Sequence, residues 1–251
     1  MPVFDQAETV MDAYNVKGMA YSGVRPDTLI GSSRYTLVLM VRDKSGSVLG
    51  HKDALVYSLK EAIKSCGYSE WANSLLIRTL DFNHNLHEVH GFKELRNIDI
   101  DKSYDMVCGG GTALYDAVAN AVRSALDFGS ILYDKDYDVN VVMFIFTDGE
   151  EIDSNIKDPL IVKQAIEELI QSEKIDSVVS VLVGINAGRC STFLKNFQRD
   201  VGISSYEDVK NFDFKVGAKL AQFISKSISS QSQSLATGSQ SKVIQIADID
   251  F

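Results

Sequence analysis

The sequence predicts an α/β protein: a largely parallel sheet with helices on both faces. Two observations carry this. Residues 35–41, 139–146 and 178–183 are dominated by apolar side chains and have strand length, as expected of strands buried on both faces. Between them, residues 49–66, 113–126 and 161–170 carry apolar residues at helical intervals, so strand and helix alternate as in a doubly wound sheet.

The first strong strand is residues 35–41, followed by a helix that Gly67 ends. Residues 73–82 and 86–92 read as two strands joined by Asn83-His84-Asn85, a hairpin. After the helix over 113–126 and the strand over 139–146 come a helix at 161–170, a strand at 178–183, a short helix at 193–199 and an edge strand at 206–209. An amphipathic helix over 214–228 closes the domain. Before the domain, Phe4, Ala7, Met11 and Tyr14 recur at helical spacing and predict a short helix, with residues 22–33 a loop. After it, the Ser/Gln/Gly/Thr tract 229–241 reads as a flexible linker leading to an apolar and acidic tail. The division is therefore an N-terminal extension (1–33), one domain (34–228), and a linker with tail (229–251).

Composition narrows the function. The chain has 251 residues, 45% hydrophobic, with a formal net charge of -9 and no dense Lys/Arg run, which argues against nucleic acid or an anionic membrane as partner. Its longest apolar stretch, 139–146, is too short to span a bilayer. The first ten residues carry Asp5 and Glu8 and no basic region before an apolar core, so no signal peptide is expected. Three widely spaced cysteines, Cys66, Cys108 and Cys190, are an odd, reduced-thiol set, which makes the cytoplasm the expected compartment.

Three separated stretches converge on one chemistry: Asp43-Lys44-Ser45-Gly46-Ser47, Gly109-Gly110-Gly111-Thr112 and Thr147-Asp148-Gly149. Each borders an apolar strand-like run and ends in oxygen-bearing side chains. In open parallel sheets, ligands bind beyond the carboxyl ends of the strands where strand order reverses, and Asp43 and Asp148 follow the two most apolar strands. Asp43, Ser45, Ser47, Thr112 and Asp148 then supply an all-oxygen shell suited to a hard divalent cation. The glycines let the backbone pass close to an ion and deliver Thr112. Against this stands the reading of Ser47 and Thr112 as helix N-caps and of Asp148-Gly149 as a turn.

These stretches, in this order, resemble the metal-ion-dependent adhesion site (MIDAS) of von Willebrand factor type A domains, with all five motif positions filled. The resemblance covers roughly residues 34–228. It implies a Rossmann-like sheet of order 3-2-1-4-5-6 with one antiparallel edge-side strand. It also implies Mg2+ or Mn2+ held directly by the hydroxyls, with one or both aspartates acting through water. An acidic residue of a partner protein would complete the coordination, and intracellular relatives often serve as adaptors to AAA+ ATPases. Gly111, Asp116 and Glu150 are expected around this site, Asp116 supporting the loop or helix start.

Arg42 departs from the family pattern, which has an apolar residue there. It is expected either at a strand end near solvent, paired with Glu150 or Glu151, or beside the site, helping to select an acidic ligand. His84, His87 and His90 raise a second metal site, but on a strand residues three apart point to opposite faces. Two other functions compete with binding: a metal-dependent phosphate-handling enzyme, against which stands the missing Lys of a P-loop, and a self-assembling protein whose tail, through Asp248, Asp250 and Phe251, docks on a partner or a neighbouring copy.

Overall fold

The computed structural model describes residues 11–30, 32–239 and 243–248. In chain order its elements are β1 (Met11–Val16), β2 (Met19–Val24), β3 (Arg34–Asp43), α1 (Lys52–Gly67), β4 (Leu75–Phe82), β5 (Leu86–Glu94), α2 (Ile100–Ser103), α3 (Leu114–Tyr133), β6 (Asp138–Thr147), α4 (Pro159–Ile170), β7 (Ser177–Ile185), α5 (Ser191–Val201), β8 (Ser205–Val209) and α6 (Phe214–Thr237). The strands form one sheet of order β1-β2-β5-β4-β3-β6-β7-β8. Strands β4, β3, β6, β7 and β8 run parallel, and β5 is antiparallel to β4. Counted from β3, the six strands after residue 34 have the predicted order 3-2-1-4-5-6.

Alternation along β3 builds both cores. Leu37, Leu39 and Val41 face α3, α4 and α5, while Val38 and Met40 face α1 and α6. Because both faces are covered, β3 and β6 read as nearly continuous apolar runs. The order of strands reverses at β3, whose neighbours β4 and β6 leave in opposite directions along the sheet.

The two ends of the chain differ from expectation. Met11 and Tyr14 lie in a strand, not a helix, and β1 and β2 form an antiparallel hairpin that joins the sheet through β5; Phe4 and Ala7 lie outside the described residues. Segment 11–24 is thus part of the domain. The reason is aromatic packing: Tyr14 stacks on Tyr21 at 5.2 Å, and both meet Phe128 of α3 edge-on. On the strand, Tyr14 and Val16, two residues apart, are the half-buried pair that shares one face, while Met11 lies on the other.

Nor is the Ser/Gln tract a linker as far as residue 237. Helix α6 runs through it to Thr237, and Ser227, Gln231, Ser232 and Ser234 are buried. The opposing strand residues are polar too. Thr36 and Ser232 share a hydroxyl hydrogen bond of 2.8 Å, Asn140 Nδ2 donates to the Gln231 carbonyl at 2.7 Å, and Ser177 donates to Gln231 Oε1 at 3.4 Å. A polar helix face is stable where its partners are polar. Beyond it, Ile244 and Ile246 pack against the α1–α6 core; the side chains of residues 248, 250 and 251 lie outside the description.

Buried arginines were not legible as such. Arg42 is fully buried, neither near solvent nor paired with Glu150 or Glu151. Its Nε donates to Asp81 at 2.6 Å, its Nη1 donates to the Tyr104 carbonyl at 3.0 Å, and its guanidinium lies over the Tyr104 ring. Arg42 is register partner of Asp81 on β4 and points away from Asp43, since adjacent strand residues face opposite sides. Arg78, equally buried, donates to Glu88, Ser124 and Asn120. Glu88 also accepts from the amide and hydroxyl of Ser22, so this cluster ties β2 to β4, β5 and α3.

Candidate metal centre

At the carboxyl end of β3, Asp43 is fully buried. One of its oxygens accepts the Ser45 amide at 2.7 Å and the other the Thr147 hydroxyl at 2.6 Å. Thr147 ends β6, one position beyond the Arg42–Phe146 register pair, so neighbouring parallel strands place it opposite Asp43. Its role was missed in the sequence, where only Asp148 of that stretch stood out; the register of two adjacent strands would have found it.

From Asp43 the chain turns through a short 3-10 segment, Gly46–Gly50, that brings Ser45 and Ser47 round to one point. Their hydroxyls are 3.1 Å apart, and Ser47 donates to Asp148 Oδ1 at 2.8 Å. The glycine loop is laced to this turn: Gly46 N donates to Gly110 O at 3.0 Å, and Gly109 N to Lys44 O at 2.8 Å. Gly110 has φ +82, and a Cβ there would collide with His84, so the loop can take this path only with glycine. Thr112, buried, closes the loop against Gly149.

Neither hydroxyl is used as a cap. The N-cap of α3 is Ala113, that of α1 is His51, and neither makes a side-chain cap hydrogen bond. Five predicted residues, Asp43, Ser45, Ser47, Thr112 and Asp148, therefore lie on three loops hydrogen-bonded to one another, with their oxygens uncommitted to secondary structure.

Around them, Asp116 holds the third loop. Its carboxylate accepts the amides of Asn155 and Ile156 at 2.7 and 2.9 Å, and its own amide donates to Ser154. Glu151 ties the same loop to the start of α3 through the Tyr115 amide at 2.9 Å. The Thr112 carbonyl accepts the amides of Ile152 and Asp153. Gly111 leaves the space that the Asp153 carboxylate occupies, an approach no sequence spacing signals. Glu150 is exposed on this loop. The histidines go to separate surroundings: His84 beside Gly110, His87 exposed on β5, and His90 buried against the Gly91 carbonyl.

The donor set fits a small divalent cation. Octahedral Mg2+ with oxygens at about 2.0–2.1 Å sets neighbouring ligand oxygens roughly 3 Å apart, and the Ser45–Ser47 and Ser47–Asp148 spacings are 3.1 and 2.8 Å. The electrostatics agree. Burial pushes the Asp43 carboxyl up to about 6, against the hydrogen bonds from Thr147 and Ser45 that favour its charged form. Burial also raises that of Asp148. Hydrogen bonding from Ser47 and the nearby His51 oppose this rise at Asp148, whereas Asp81, on the neighbouring strand, has Arg42 as an ion-pair partner.

No protein-family model matches the chain, and neither does a curated protein sequence. Solved structures do. The pilus adhesin SpaC of Lactobacillus rhamnosus GG aligns with TM-score 0.56 at 12% identity, over 91% of this chain and 35% of that one. The PilB minor pilin of Streptococcus sanguinis aligns at 0.55 and 14%, over 84% and 64%. Proximal thread matrix protein 1 of the mussel byssus aligns at 0.53 and 15%, over 79% and 46%; the same protein with a zinc-occupied MIDAS motif gives 0.50 and 15%. The chain thus spans between a third and two thirds of these proteins, and identities this low speak for fold alone. Sheet order, switch point and these likenesses together show a doubly wound α/β fold of the Rossmann-like type, the fold that the sequence resemblance implies.

Proposed function

We propose that this domain is a metal-dependent protein-binding module. Asp43, Ser45, Ser47, Thr112 and Asp148 hold Mg2+ or Mn2+ at the carboxyl ends of β3 and β6, and an acidic residue of a partner protein completes the coordination. The single observation that carries this is Asp43: a fully buried carboxylate that, among the described residues, is met by neutral groups of Ser45 and Thr147 and by no ion pair. An isolated buried charge is costly unless something positive joins it. The cation, when bound, supplies that charge and attracts an anionic oxygen from outside. The chain's own part is to hold two carboxylates and three hydroxyls on loops braced by Asp116 and Glu151. The zinc-occupied motif of the mussel protein supports a divalent ion in this fold, and Zn2+ belongs among the cations tested.

Isothermal titration of the EDTA-stripped chain with Mg2+, Mn2+ and Zn2+ tests the reading. Saturable binding with a rise in Tm, lost in Asp43→Ala and weakened at least tenfold in Thr112→Ala, is the expected result. No binding of any of the three ions would refute it. The partner's identity, including an AAA+ ATPase, and a cytoplasmic setting are parts of the proposal that capture in Mg2+ against EDTA would address.

A further inference from the structure

The end of the sheet opposite the metal loops carries a cleft that the metal site does not use. It lies between the loop joining α1 to β4 and the carboxyl-terminal half of α6, and its volume is about 600 Å³, within the range of small-molecule sites. Tyr68, Glu70 and Trp71 line it from the loop, Lys226 and Gln233 from the helix, and five serines complete the walls. Leu75 begins β4 four residues after Trp71, so the cleft sits at the amino ends of the strands.

Its side chains are free to meet a ligand. Tyr68 is 92% exposed and Trp71 half-buried, and among the described residues neither ring stacks on another aromatic ring. Each ring therefore offers an apolar face at the cleft. Among the described residues the side chains of Glu70, Lys226 and Gln233 make no hydrogen bond or ion pair, which leaves a carboxylate, an ammonium and an amide available. The serines are short and lose little rotamer freedom when they bond a ligand.

The lining narrows the ligand class. One Glu and one Lys leave the cleft without net charge, so neither an anion nor a cation finds a surplus of the opposite sign. Ile244 is the one aliphatic side chain among the described lining residues, too little for a lipid chain or an apolar helix face. A neutral molecule that presents C–H faces and many hydroxyls matches both the rings and the polar groups. We propose that this cleft binds a short neutral saccharide. Its ring C–H groups lie on Tyr68 and Trp71, and its hydroxyls donate to Glu70 and accept from Lys226 and the Gln233 amide. The site works without the cation, because it lies at the far end of the sheet.

Trp71 is the one tryptophan of the chain, so its fluorescence reports on this cleft directly. The full chain is screened on an array of neutral glycans in Mg2+ and in EDTA, and the best-retained glycan is titrated against Trp71 emission. A saturable change in emission, equal in Mg2+ and EDTA, is expected. Tyr68→Ala, an exposed change that should keep the wild-type Tm, should weaken binding about fivefold to tenfold, as for the loss of one aromatic contact. Glu70→Gln, equally exposed, should weaken it as well. Retention of no glycan, emission that stays constant on titration, or affinity within twofold of wild type in both variants would overturn the proposal. Binding that disappears in EDTA would place the sugar at the metal loops and overturn it too, while leaving the metal reading intact.

Discussion

The two ends of the sheet bury polar groups in opposite ways. At the amino ends, Thr36, Asn140, Ser232 and Gln231 are neutral and hydrogen-bond one another between strands and α6, with the Asn140 Oδ1 atom left over. At the carboxyl ends the buried groups include ions: Asp81 answered by Arg42, and Asp43 answered by no cation of the chain. Neutral groups can complete their hydrogen bonds within the protein and so strengthen a joint. An ionised group needs a counter-charge. The amino end is therefore joined by neutral hydrogen bonds within the chain, and the carboxyl end carries a buried charge that the proposed cation would answer.

The largest effect should come from opening the buried Arg42–Asp81 ion pair. Arg42→Met leaves Asp81 buried without its partner and should cost about 3–5 kcal/mol in chemical unfolding. A loss under about 1 kcal/mol would mean that Asp81 reaches water and that the carboxyl end is less dry than described. Next is pH. Burial holds the His90 imidazole down at about 4, below its ordinary 6.5. Because the folded value is depressed, stability is intact at neutral pH and falls as pH drops from about 6.5 to about 4, by roughly 3 kcal/mol. The wild-type-minus-His90→Gln difference in unfolding free energy isolates this drop, and a flat difference would contradict it.

A smaller effect distinguishes the unanswered carboxylate. Mg2+ at a hundredfold its Kd should stabilise wild type by about 2.7 kcal/mol and leave Asp43→Asn unmoved. In EDTA the same variant should be no less stable than wild type, since it removes an uncompensated buried charge. A marked loss of stability in EDTA would make Asp43 a structural residue like those at the other end. At that end, Asn140→Leu strips the donor from the Gln231 carbonyl and should cost about 1–3 kcal/mol. Smallest, Ser232→Ala should cost about 1 kcal/mol. Neither should alter Mg2+ titration; a shift in cation affinity from Ser232→Ala would show the two ends to be coupled through β3.

Much of the site was legible because its residues are punctuated by the strands that carry them. Asp43 and Asp148 end apolar runs, and the glycines before Thr112 mark a loop that must pass close to its neighbours. Thr147 and Asp153 were not legible, since each gains its place from another element, the first by register across β3 and β6 and the second by the space over Gly111. Arg42 misled for the same reason. A charge at the end of an apolar strand reads as the approach to solvent, unless the neighbouring strand holds a carboxylate at the same register.

By itself, the sequence determined the period of each central element and the three loops that carry the candidate ligands, while the order of the six strands after residue 34 rested on the family resemblance. Hydrophobic alternation and loop chemistry are local, and local signals survive in one dimension. Tertiary structure decided the hairpin at residues 11–24, the continuation of α6 through a Ser/Gln tract and the pairing of Arg42 with Asp81. In each, a segment with weak local preference took its form from the surface opposite it: aromatic rings of α3 for the hairpin, polar strand ends for α6, and a facing carboxylate for the arginine.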